Sequence, residues 1–191
     1  MNYNAIRRQT PEVRIGKVTI GGTNPIAIQS MTNTDTRDIP ATIAQIKALA
    51  SAGCDIVRIT VPDEEAAKTV FAIKEEGITT PIVADIHFDH KAALRCAEYG
   101  VDKIRINPGN IGDDDRVKAV VDVCKTKNIP IRIGVNSGSL EKHILAKYGA
   151  PTPEALCESG LYHASLLEKF DYTNIVISIK ATETPELNAL I

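Results

Sequence analysis

Five short segments place polar or charged side chains at alternating positions: IVRITV (56–61), IVADIHF (82–88), KIRINPG (103–109), IRIGVN (131–136) and IVISIK (175–180). In an extended strand alternate side chains share a face. One face therefore carries Val57, Ile59 and Val61, Ile82, Ala84 and Ile86, Ile104 and Ile106, Ile131, Ile133 and Val135, and Ile175, Ile177 and Ile179, which is a core. The other carries Arg58 and Thr60, Asp85 and His87, Lys103, Arg105 and Asn107, Arg132 and Asn136, and Ser178 and Lys180. Leaving His87 aside, that face holds five cations and one carboxylate. Guanidinium groups match phosphate oxygens two at a time, and lysine supplies a compact point charge. Arg58, Arg105, Arg132 and Lys180 come from different strands, and their convergence on a partly desolvated pocket is unfavourable without a counter-anion. The chemistry implied is the binding of an anion with several charges, about the size of a diphosphate. The competing structural reading pairs each cation with a loop carboxylate such as Asp63, Asp89 or Asp113.

Other residues of these segments have a chemical and a structural reading. His87 is a phosphate donor, a proton-transfer group or a structural histidine. Asn107 and Asn136 end their strands, where they either orient ligand oxygens or form turns, since NPGN and NSGS are turn-rich. NPGNIG (107–112) and GVNSGS (134–139) are glycine-containing loops that feed helices, and amides at a helix start bind anions. Neither matches a GxGxxG or phosphate-loop pattern. Ser139 reads first as a cap. Gln29 and Met31, in IAIQSMTNT, line the same interior or pack in a core.

These side chains need a scaffold that brings several strand ends together. VRIGKVTIGG (13–22) alternates and ends in Gly-Gly, which predicts a hairpin turning at Gly16 and Lys17. Strands then begin near 26, 56, 82, 103, 131 and 174, each followed by a helical pattern. Helix starts are expected after Asp63, after Asp89 and at Thr152-Pro153, with Ser139 capping a helix that ends at Gly149. Repeating strand–helix units imply a parallel sheet. A doubly wound sheet buries both faces and needs strands that are apolar on both sides. A (β/α)₈ barrel buries only its outer face against helices and turns polar toward its active end. The alternation favours the barrel: an α/β, TIM-type (β/α)₈ barrel, incomplete at about six of eight units, with residues 1–25 as an N-terminal hairpin segment and 26–191 as the partial barrel. A complete barrel takes about 250 residues, and the sequence stops at TPELNALI just after a helix start at Thr184-Pro185, so a piece of a longer protein is expected.

Composition narrows the function. A formal charge of −2 over 191 residues argues against nucleic acid or an anionic membrane as partner and makes the cationic strand face a local feature. Cys54, Cys96, Cys124 and Cys157 are far apart with no CxxC pair, so buried reduced thiols are expected rather than disulfides or a metal site. The N-terminus lacks an apolar signal core, and no run approaches the roughly 20 apolar residues of a membrane span. A cytoplasmic protein is the expectation.

IAIQSMTNTDT, VRITVP, ADIHF, KIRINPGN, IRIGVNSGSLE and SIKAT, in this order and spacing, resemble the N-terminal barrel of the 4-hydroxy-3-methylbut-2-enyl diphosphate synthase family, from about residue 10 to the end of the chain. The resemblance implies reductive dehydroxylation and ring opening of 2-C-methyl-D-erythritol 2,4-cyclodiphosphate, in the methylerythritol phosphate route to isoprenoids. It implies diphosphate contacts at Arg58, His87, Arg105, Arg132 and Lys180, with Asn107 and Asn136 nearby and Gln29, Asp85, Ser139 and Ser178 as secondary positions. It further implies a homodimer, flavodoxin or ferredoxin as electron donor, and a [4Fe-4S] cluster held in a C-terminal domain by three cysteines and a glutamate. None of the four cysteines here matches that motif, and the family glutamate near the reacting carbons lies beyond residue 191. No catalytic residue is therefore assigned, and the chain alone is expected to bind without turning over. Two rivals stand beside this reading. A pterin-binding transferase of the dihydropteroate-synthase type uses similar barrel residues, although three Phe, five Tyr and no Trp offer little stacking. A non-catalytic barrel module is the other.

Overall fold

In the computed structural model, residues 9–181 are described. The chain opens with the expected hairpin, β1 (Val13–Ile15) antiparallel to β2 (Val18–Ile20), turning through Gly16 at φ +55. That is left-handed backbone, which glycine adopts without steric cost. Six parallel strands follow: β3 (Gln29–Met31), β4 (Ile56–Thr60), β5 (Ile82–Asp85), β6 (Lys103–Ile106), β7 (Ile131–Asn136) and β8 (Ile175–Lys180), paired in sequence order as a curled half-barrel. Helices α1 (Ile39–Ser51), α2 (Glu64–Glu75), α3 (His90–Glu98), α5 (Asp114–Lys127) and α7 (Pro153–Glu168) cover the outer face. The short α4 (Pro108–Ile111) and α6 (Lys142–Tyr148) follow β6 and β7.

The helix starts obey local chemistry. Asp63, Asp89 and Asp113 accept hydrogen bonds from the amides of Ala66, Lys91 and Arg116, and Thr152 from that of Ala155. Each side chain satisfies an amide that the first helical turn leaves without a partner. Ser139 does not cap. It belongs to a single 3₁₀ turn (Ser137–Ser139), Leu140 beyond it is extended, and α6 begins after Glu141 without a side-chain cap. The helix does end at Gly149, as expected. The first barrel strand is shorter than its apolar run suggests. Asp55 Oδ2 accepts from the Ile28 amide at 2.8 Å, so a side chain takes that amide just before β3 while the Ile28 carbonyl accepts from the Asp55 and Ile56 amides. The Thr184-Pro185 helix start lies outside the described residues.

The two sheet faces divide as the alternation requires. Val57, Ile59, Ala84, Ile104, Ile106, Ile131 and Ile133 are fully buried in the core formed with the helices. On the inner face, Ile56 and Val83 pack with Val13 and Ile15, with Val18, Ile20, Ala27 and Val176 around them. The hairpin thus closes the N-terminal end of the lumen with apolar side chains. The charged side chains of the inner face begin at the level of that plug, where Arg58 and Lys103 register beside Val83.

Candidate anion-binding site

Strand register sets the inner face. Met31 lies beside Arg58, Asp85 beside Arg105, Arg105 beside Arg132, and Asn136 beside Lys180. At its centre Asp85 is the hub. Its Oδ2 accepts from Arg58 Nε at 3.1 Å and also from Arg58 Nη2, while Oδ1 accepts from Arg105 Nη1 at 3.0 Å. The Asp85 side chain is 2% exposed, against 25% and 17% for Arg58 and Arg105. His87 stands half-exposed at the rim, its Nε2 at 3.6 Å from Asp85 Oδ2.

Two further cations sit beside this triad without a carboxylate among the described residues. Arg132 donates through Nε to Ser178 Oγ at 2.9 Å, and Ser178 donates onward to the Ile133 carbonyl at 3.1 Å. Burial, reinforced by Arg58 and Arg105, pulls the Arg132 pKa below its ordinary value, against a weaker pull from Asp85. Lys103 is 2% exposed, and burial together with Arg132 and Arg58 lowers its pKa to about 8. Both line a cavity of about 450 Å³ with Gln29 and Ser178, floored by Ile20, Ile56 and Val176. The loop carboxylates that could have neutralised these cations are engaged elsewhere. Asp63 caps α2 and pairs with Arg37, and Asp89 and Asp113 cap α3 and α5. Four buried or half-buried cations thus face one carboxylate, and a charge group of this kind is unfavourable until an anion enters.

The sequence-predicted positions separate into groups. Arg58, Asp85, His87 and Arg105 come together, and Arg132, Ser178 and Gln29 share the cavity beside them. Lys180, at the end of the edge strand β8, is exposed. Asn107 is buried and accepts the Gly134 amide through Oδ1 at 3.0 Å, tying the end of β6 to β7. Asn136 accepts from the Gly138 amide at 3.2 Å, so its side chain shapes the turn after β7. Ser139 is exposed in that turn.

Gly134 is a position that sequence reasoning passed over. Its carbonyl accepts from Arg105 Nη2 at 3.3 Å, and a Cβ built there would lie 2.5 Å from Arg105 Nε and Nη2. The Arg105 guanidinium therefore lies across the bare backbone of β7. The available signal was a glycine inside a strand, on its polar face, which marks a close approach. In Gly134→Ala the backbone is tolerated but Arg105 must leave its seat. We expect a loss of about 1–3 kcal/mol in unfolding free energy, read by urea denaturation, and at least tenfold weaker anion binding by calorimetry. Wild-type affinity in this variant would show that the seat of Arg105 is immaterial.

A family model described as the GcpE TIM-barrel domain matches residues 10–190. The chain belongs to this family. Its relatives include proteins named 4-hydroxy-3-methylbut-2-en-1-yl diphosphate synthase (flavodoxin), 57% identical over 178 residues in Pseudomonas aeruginosa and 58% over 177 in Histophilus somni. Each alignment covers 93% of this chain and 48% of the relative, so the chain spans about half the length of the curated relatives it matches. Solved structures with a similar fold include a phospho-2-dehydro-3-deoxyheptonate aldolase from Thermotoga maritima (TM-score 0.60, 15% identity, 92% of this chain and 48% of that one). A dihydropteroate synthase from Xanthomonas albilineans is another (TM-score 0.59, 15% identity, 88% and 64%). At such identities the likeness is one of fold.

The four cysteines of this chain do not fit an iron–sulfur cluster. Cys96 and Cys124 are buried on separate helices, their thiols pushed up to about 12 by burial. Cys54 donates to the Ile56 carbonyl at 3.0 Å, and Cys157 is exposed on α7. Among the described residues no group of three or more His, Cys, Asp and Glu is placed to hold a metal, and no helix is long and apolar enough to cross a membrane.

Proposed function

We propose that the cationic inner face is a diphosphate site, and that it holds 2-C-methyl-D-erythritol 2,4-cyclodiphosphate for reductive conversion to 4-hydroxy-3-methylbut-2-enyl diphosphate. The observation that carries this reading is the excess of cations at the lumen. Arg132 and Lys103 lack a carboxylate among the described residues, while Asp85 is divided between Arg58 and Arg105. The names of relatives more than half identical over nearly the whole chain support the same substrate class. In this reading Arg105 and Arg132 clamp one phosphoryl group, Arg58 with His87 reaches the other, and Lys103 adds charge from below. Asn107 holds β6 and β7 at the spacing the clamp needs. Flavodoxin, printed in the relatives' names, is the proposed electron donor. The [4Fe-4S] cluster and the glutamate near the reacting carbons are assigned to the half of the relatives' length that this chain does not span, and the whole protein is proposed to be a homodimer. The pterin reading gains nothing from Asp85, which is engaged by two arginines.

Lys103 provides the test. Its folded pKa of about 8 lies below the ordinary 10.5, so between those values the unfolded chain holds more protons and raising the pH favours the fold. A bound anion reverses the balance by stabilising the ammonium form. Cyclodiphosphate binding at pH 8 is therefore expected to take up about half a proton, and affinity should fall as pH rises above 8. Calorimetry in two buffers of different ionisation enthalpy measures the uptake. Lys103→Met should abolish it, and binding with no uptake by the wild type would remove Lys103 from the site.

A further inference from the structure

His163 is fully buried on α7 and takes no part in the anion site just described. Its ring sits between the loops that follow β6 and β7. The Gly109 amide donates to His163 Nδ1 at 3.3 Å, and His163 Nε2 lies 2.5 Å from Glu141 Oε1. A backbone N–H can only donate, so Nδ1 must be bare and Nε2 must carry the proton given to Glu141. The contact is close enough to explain the glycine: a Cβ on residue 109 would stand 3.0 Å from His163 Cε1. Gly109 lies in α4, the short helix that Asn107 opens in the connection after β6, and Asn107 accepts the Gly134 amide beside Arg105. Glu141 ends the segment that begins at Asn136.

We propose that His163 is a positioning residue which, with Glu141, clamps the loop after β6 to the loop after β7 and so holds Asn107, Asn136 and the Arg105 seat in register for the anion. The proposal rests on the diphosphate reading of the inner face. One ring fixes both loops because its two nitrogens are used in opposite senses, one accepting and one donating. Only the neutral imidazole does this. Protonation at Nδ1 would aim an N–H at the Gly109 N–H and release the first loop. Glu141, preceding α6, faces the ring, with Arg105 from β6, His143 from α6 and Tyr162 on α7 around it. Burial pushes the His163 pKa down, Glu141 opposes this, and Arg105 and His143 add to the depression. The neutral form is thus held throughout the neutral pH range. Because the folded pKa is depressed, the unfolded chain takes up the proton first, so the clamp weakens as pH falls below the ordinary histidine value of about 6.5.

Two near-isosteres separate the two bonds. His163→Gln keeps a donor toward Glu141 but offers no acceptor to Gly109, whereas His163→Asn keeps the acceptor and loses reach to Glu141. Titration with the cyclodiphosphate, whose charge is constant over this range, should show each variant binding about tenfold more weakly while melting as a folded protein. Below the ordinary histidine value of about 6.5 the affinity advantage of the wild type over the Gln variant should shrink, a difference in which the contribution of His87 cancels. Hydrogen exchange at the Gly109 amide should quicken at least tenfold in His163→Gln and less in His163→Asn. Wild-type affinity and an unchanged pH slope in both variants, alongside a loss of affinity in Arg105→Ala, would overturn the clamp and leave the anion site standing. If the wild type itself fails to bind, the diphosphate reading falls, and exchange decides the clamp alone: unaltered Gly109 exchange in His163→Gln overturns it.

Discussion

Replacing Arg105 and Arg132 together with alanine is expected to weaken cyclodiphosphate binding at least a hundredfold. Charge-assisted hydrogen bonds contribute about 1.5–3 kcal/mol each, and the two residues are register neighbours on β6 and β7, so one phosphoryl group meets both. Their effects will not add, because the two are register neighbours and Arg105 also acts on the charge of Arg132. Stability should respond differently. Folding disfavours the charged form of Arg132, which has no carboxylate among the described residues to offset its burial. Removing it relieves Lys103 and leaves Ser178 bonded to the Ile133 carbonyl. Arg132→Ala alone should therefore melt at or above the wild-type temperature without ligand while binding less ligand. That opposition between stability and function is expected where a site holds strain for its ligand. Calorimetry and thermal melts of the same preparations measure both quantities. A variant that melts lower and binds normally would make Arg132 a structural residue.

Asp85→Asn should produce the largest change in stability. Asp85 is buried and is the shared counter-ion of Arg58 and Arg105. Breaking a buried pair by removing one partner costs about 3–5 kcal/mol, because the charge left behind stays desolvated. For a chain of this size that corresponds to a fall in melting temperature of roughly 10 °C. Ligand should then restore more stability to the variant than to the wild type, since an incoming anion supplies the charge Asp85 no longer does. Equal melting points with and without the substitution would show that the two arginines are neutralised by something else.

Much of this arrangement was legible in the sequence because it is governed by short-range rules. Alternation along IVRITV and IRIGVN separated Val57 and Ile133 from Arg58 and Arg132, and the structure places them on opposite faces of one sheet. Asp63, Asp89 and Thr152 announce helices by their own hydrogen bonding. What escaped is long-range. His163 meets Gly109 across 54 positions and Glu141 across 22, and no local pattern connects them. Gly134 was passed over as one glycine of a strand and of a loop feeding a helix, because its significance lies in the side chain of a neighbouring strand. Ser139 had the right type for a cap, but the 3₁₀ turn after β7 absorbed it. Asp85 was counted as too little charge to balance the face; the structure shows it balancing two cations while Arg132 and Lys103 remain.

The central claim is that these remaining charges await a diphosphate at the lumen, and a crystal structure grown with the cyclodiphosphate tests it most directly. Two phosphoryl groups are expected within hydrogen-bonding distance of Arg58, Arg105 and Arg132, with Lys103 beneath them and the Asp85 bridges lengthened or exchanged. Ligand bound elsewhere on the barrel, with Arg132 still held only by Ser178 and the Asp85 triad untouched, would contradict it.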